Sequence, residues 1–170
     1  MRRLALVGLL SACGGAGAFG FSPEYEPLGA EEDAVEGTTE VGYEDVRRRP
    51  GDYAANTIAW FGMVTAVRPG EFDLTFRTLA PRNLCFDETD SSCRVTVSER
   101  AGGPFTVRMA IRPEDQDGRD RLWQGSLVRV VGVPQAELSE EGAVVIDGRY
   151  YRHWPRGAFV TTAARGSMRR

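Results

Sequence analysis

From residue 46 onward the chain alternates apolar runs with short polar breaks. The runs have the length and the two-residue period of strands, not the 3.6-residue period of helices. Thr57 to Val67 is rich in β-branched and aromatic residues and stops at Arg68-Pro69-Gly70, a turn signal. Gly62 inside that run predicts a bulge or sharp bend. Phe72 to Arg77 alternates apolar and polar positions and reads as a second strand, hairpinned to the first. Arg94 to Val97 and Phe105 to Ile111 read as strands joined by a break rich in glycine and proline, and Leu127 to Val133 as a fourth main strand. Ala143 to Asp147 begins a fifth, continuing through Tyr150 and Tyr151. Two short helices are expected. One spans Tyr43 to Arg49, stopped by Pro50-Gly51. The other lies between Pro113 and Gly125, with proline first and glycine last.

Five main strands with a helix between the third and fourth is the plan of a small OB-like Greek-key barrel. The expected fold class is therefore mainly β, with one or two short helices, preceded by a disordered tether. The chain divides into a signal at 1–12, a lipidated cysteine and acidic flexible tether at 13–45, a barrel domain at 46–160 and a flexible tail at 161–170. One domain is what 170 residues with 42% hydrophobic content accommodate.

The start of the chain reads as an address. Arg2 and Arg3 precede the apolar run Leu4 to Leu10, which is too short for a membrane-spanning helix of about 20 residues and fits an export signal. Leu10-Ser11-Ala12-Cys13 resembles the bacterial lipobox, which implies acylation of Cys13 and anchoring by two or three lipid chains. Gly14 follows the cysteine, where an aspartate would signal inner-membrane retention, so the outer membrane is the expected address.

Export changes the reading of the remaining cysteines. Cys85 and Cys93 enclose a polar loop between strand-like segments, and in an oxidising compartment a disulfide is expected. It would stabilise by about 2–3 kcal/mol in the chain-entropy model. The spacing is not a zinc pattern, and the single histidine, His153, excludes multi-histidine metal centres. No metal and no cofactor is expected.

Charge is unevenly spread. The formal total is −3, and every one of the 21 basic residues is arginine. Residues 14–45 hold nine acids and no base, whereas residues 46–170 hold nineteen arginines against fifteen acids, a balance of +4. The acidic segment lacks apolar periodicity and reads as a self-repelling spacer. A weakly basic body favours anionic partners or folds back on its own tether. Nucleic acid is not an expected partner, given the export address.

The lipobox, the segment from Ala59 to Val64, the phrase from Leu127 to Gly132 and the late cluster from Tyr150 to Trp154 together resemble the starvation-inducible outer-membrane lipoprotein (Slp) family. The resemblance runs in short phrases from Val46 to Trp154. It implies attachment to the outer membrane and says little about chemistry.

Neither a serine-hydrolase elbow, a zinc-protease helix, a phosphate loop nor a dinucleotide fingerprint is present. No catalytic residue is assigned. The expected function is a non-enzymatic envelope lipoprotein, a binding or structural module that contacts an envelope glycan or a partner protein. The alternative is an envelope hydrolase or other enzyme using His153. The candidate ligand face is Phe61, Arg77, Tyr150, Tyr151, Arg152, His153 and Trp154, because aromatics stack on rings and arginine pairs with anions. Trp60 and Phe76, flanked by β-branched residues, read as core.

Overall fold

The computed structural model describes residues 25, 27, 29–78, 82–83 and 95–161. The expected signal, the Cys13 anchor, the Cys85–Cys93 bridge and residues 162–170 lie outside the described residues. The elements in chain order are α1 (Ala30–Val35), α2 (Tyr43–Arg48), a 3₁₀ turn (Pro50–Tyr53), β1 (Ile58–Arg68), β2 (Glu71–Arg77), β3 (Arg82–Asn83), β4 (Val95–Val97), β5 (Ala101–Arg108), a 3₁₀ turn (Pro113–Asp115), β6 (Leu127–Pro134), β7 (Val144–Trp154) and β8 (Phe159–Thr161).

The chain is mainly β, as its periodicity predicts. Five strands form a mixed sheet in the order β1-β2-β5-β7-β6, and β1 also pairs with β6, so the ring closes. All neighbours are antiparallel except β5 and β7. The pleat sends alternate side chains inward. Phe72 and Leu74 of β2 and Phe105 and Val107 of β5 are fully buried, with Trp60, Val130, Ile146 and Tyr151 from the other strands. The helix expected at Tyr43–Arg49 is present as α2. Its Tyr43 packs 5.6 Å from the rings of both Trp60 and Phe76, and Val46 is fully buried beside it.

A second, three-stranded sheet, β3-β4-β8, is not legible as such in the sequence. Val95 and Val97 of β4 bury Phe61, Leu127 and Trp154 on the outside of the ring, with Phe159 of β8 packed against them. β1 is therefore apolar on both faces at Trp60 and Phe61.

Four expectations need correction. The helix expected between Pro113 and Gly125 is only a 3₁₀ turn at Pro113–Asp115. Gly118, inside the segment, adopts a positive φ of 87°, which breaks helical continuity. The irregularity in β1 falls between Val64 and Ala66, not at Gly62. Gly62 is instead a close-packing position, where a Cβ would lie 2.8 Å from the Phe105 ring and 2.9 Å from Leu74 Cβ. The acidic segment is not wholly a free tether: from Gly29 it is ordered, and α1 carries Glu31 into full burial against the ring. Finally, Thr161 belongs to β8 rather than to a tail.

Candidate functional site

The outward row of β2 and β5 builds a polar floor. Asp73 stands opposite Thr106, and Glu71 opposite Arg108. The turn between β1 and β2 and the connection from β6 to β7 rise on either side, enclosing a groove of about 880 Å³. Its floor is held by hydrogen bonds. Arg68 donates to both oxygens of Asp73, at 2.6 and 2.8 Å, and to Glu71 at 2.7 Å. Thr106 Oγ1 donates to Asp73 at 2.8 Å, and Arg108 Nη1 to Gln135 at 3.1 Å. Burial works to raise the pKa of Asp73, but the bonds from Arg68 and Thr106 outweigh it and hold the carboxyl below its ordinary range. The same bonds from Asp73 and Glu71 raise the pKa of Arg68.

The groove lining holds five carboxylates against two guanidinium groups. Both arginines are engaged on the floor, and Glu137, Glu140 and Glu141 on the rim are exposed. A cationic ligand finds complementary charge here, and a polyanion meets repulsion. None of the groove residues belonged to the ligand face expected from sequence. The signal was the polar half of the alternation in β2 and the acidic run from Glu137 to Glu141.

The expected ligand face does not assemble as a surface. The pleat of β7 divides the Tyr150–Trp154 cluster: Tyr150, Arg152 and Trp154 share one side, Tyr151 and His153 the other. Phe61 and Trp154 are buried and stacked, with ring centroids 6.0 Å apart, beneath the second sheet. Exposing such side chains instead would forfeit about 1.5–3 kcal/mol each. Tyr151 is 1% exposed and points into the ring. Arg77 lies opposite Phe61 in the ladder, but its guanidinium donates to the Glu99 carbonyl at 2.7 Å. Tyr150 is half-buried and lines a groove of about 540 Å³ beside α1.

Arg152 remains in a polar cluster that the sequence did not single out. Glu31 of α1 accepts from Arg129 Nη1 at 3.0 Å and Arg152 Nη1 at 2.7 Å, and also from the Tyr25 hydroxyl. Burial, then the negative charge of Glu31, raises the pKa of Tyr25. Burial opposes the charge on Arg152, but Glu31 more than compensates and its pKa rises. The available signals were Arg129, a single charge inside an apolar strand, and the opposite charges of the two segments.

His153 lies between a carboxylate and a backbone carbonyl. Its Nδ1 is 3.5 Å from Asp115 Oδ1, and Nε2 is 2.7 Å from the Asp120 carbonyl. Asp115 also accepts from Tyr151 at 2.5 Å and from Arg112 Nε at 2.7 Å. Burial, followed by the bond to Asp115, raises the pKa of Tyr151. A carboxylate thus lies near one side of the imidazole, but the other nitrogen, which a general base would turn toward a nucleophile, faces a backbone carbonyl. The cluster ties the 113–125 segment to β7. Among the described residues no group of three or more His, Cys, Asp or Glu side chains is arranged to hold a metal ion, and no helix is long and apolar enough to cross a membrane. No protein-family model and no curated protein matches the chain.

Proposed function

We propose that the protein is an exported, lipid-anchored binding module with an OB-like barrel, acting without catalysis on the outer membrane and resembling the Slp family. The observation that carries this reading is the ring order β1-β2-β5-β7-β6 with its single parallel pair, β5 and β7, and a groove across β2 and β5. OB barrels bind ligands on the face of their second and third strands, between the loops that follow strands one and four. The groove occupies that place. The missing helix between β5 and β6 is a departure from the usual plan, and a loop fills its position.

The ligand this groove suits is a positively charged segment of a partner protein. Its rim is acidic, and its floor offers fixed polar groups but no exposed aromatic ring on which a sugar could stack. Binding of a fluorescent arginine-rich octapeptide to the full chain is expected to weaken as salt rises and to fall at least tenfold in the triple variant E137Q/E140Q/E141Q. Unchanged binding in that variant would refute the assignment, and preferential capture of a neutral oligosaccharide would favour a glycan ligand. The anchor is tested separately: Cys13→Ala should move the protein from the membrane to the soluble fraction, and continued membrane partition would exclude lipidation at Cys13.

A further inference from the structure

A second site lies apart from the groove, on the outside of β6 and β7. Arg129 and Arg152 face each other in the ladder, and both converge on the fully buried Glu31 carboxylate. Aromatic rings support the two cations: Arg129 lies 5.1 Å from the Phe61 centroid and Arg152 lies 4.7 Å from that of Trp154. Planar guanidinium groups stacked on rings and aimed at one point are an arrangement suited to an oxyanion.

Glu31 under-fills this arrangement. A carboxylate brings two oxygens; one takes Arg129, and the other is shared between Arg152 and Tyr25. Arg129 Nε is buried and, among the described residues, has no hydrogen-bond partner. A buried donor left unpaired costs free energy, and an anion with a third acceptor oxygen would remove that cost. The element that delivers Glu31 is also weakly held. α1 has six residues, no side-chain bond at its N-terminus, and Glu31 as its only buried residue. A helix this short does not persist without tertiary support. Solvent reaches its flank through the groove that Tyr150 and Arg149 line.

We propose that the Arg129–Arg152 pair is a binding site for a phosphate group, filled in cis by Glu31 until a phosphate-bearing ligand displaces α1. The internal carboxylate competes at an effective concentration in the millimolar range, so the intact chain takes the anion weakly, and neutralising Glu31 unmasks the site. The same chemistry is offered by free phosphate and by a lipid phosphomonoester head group.

The test compares the full chain with E31Q and E31Q/R152M. Against sodium chloride of equal ionic strength, inorganic phosphate is expected to raise the melting temperature of E31Q by several degrees. It should bind E31Q at least tenfold more tightly than the unaltered chain, and the double variant should lose both effects. A gain no larger than that from chloride, or one that survives R152M, would overturn the proposal. Should E31Q fail to fold, the unaltered chain decides: phosphate must accelerate hydrogen exchange of the α1 amides more than chloride does, and equal rates would overturn it. In the C13A background, which removes the proposed acyl anchor, co-sedimentation of E31Q with phosphatidic acid vesicles but not phosphatidylcholine vesicles assigns the ligand to the membrane. Phosphate binding without co-sedimentation assigns it to solution.

Discussion

Several single side chains have roles set by what lies across the ladder from them. Asp73 is one: bonded by Arg68 and Thr106, its carboxyl titrates below its ordinary range. A depressed pKa stabilises the fold fully above the unfolded value of about 3.9 and loses that contribution as pH falls through the folded value. Stability measured by urea unfolding should therefore decline between about pH 5 and pH 2 with a component that Asp73→Asn removes. An equally steep acid limb in the variant would mean that Asp73 is not held in its charged form. The Arg68–Asp73 pair is partly exposed and screened by solvent, so the variant should lose little stability near neutral pH. His153 shows the same dependence on partners: a lone histidine in the sequence becomes, beside Asp115 and the Asp120 carbonyl, a tie between strand and loop.

Among the elements, strands were legible in the sequence because one buried face imposes a two-residue period that survives any detail of packing. β2 is the clearest case, with Phe72 and Leu74 inward and Glu71 and Asp73 outward. Elements whose stability comes from elsewhere were not legible. β4 and β8 are three residues each and pair with one another in parallel across more than sixty positions of sequence. No local pattern encodes such a pairing. The 113–125 segment carries helix-like ends, but the positive-φ Gly118 inside it and the inward pull on Asp115 decide otherwise. The site was legible only in part for the same reason. Arg152 and Trp154 share one side of β7, but what covers them comes from α1 and from the second sheet. In β1, Gly62 is a position set by packing rather than by a bend of the strand. It sits where Phe105 and Leu74 close over the strand, and Gly62→Ala should cost about 1–3 kcal/mol through overpacking. Thermal unfolding of the variant measures this, and an unchanged midpoint would mean that the ring relaxes freely at that point.

At the scale of the whole molecule, nine acids precede a basic body, and the chain between them limits how far that body could stand from the lipid anchor proposed at Cys13. With α1 docked, sixteen residue steps separate Cys13 from Gly29, a reach of at most about 55 Å; with α1 released, the free span runs only to Thr38, because Thr39 stays paired with Thr57 and Ile58, and the limit rises to about 90 Å. The difference rests on one carboxylate, because Glu31 is the only residue of α1 that is buried. Removing it leaves Arg129 and Arg152 without their shared counter-charge, a change that commonly costs several kcal/mol in a buried pair and less here, where both arginines keep some exposure. Glu31→Ala should therefore free the segment without unfolding the ring, since Tyr43 and Val46 of α2 are anchored in the main core. A glutamate-specific protease is expected to cut the variant after Glu32 or Glu36 at least tenfold faster than the unaltered chain, while the fragment from α2 onward resists. If both chains are cut at the same rate, the carboxylate is not what holds α1 in place, and the docked and extended lengths of the tether are not governed by this site. Cleavage spreading into the ring would instead mean that α1 is integral to the fold, and a basic surface that needs its own acidic segment to stay folded could not release that segment to a ligand.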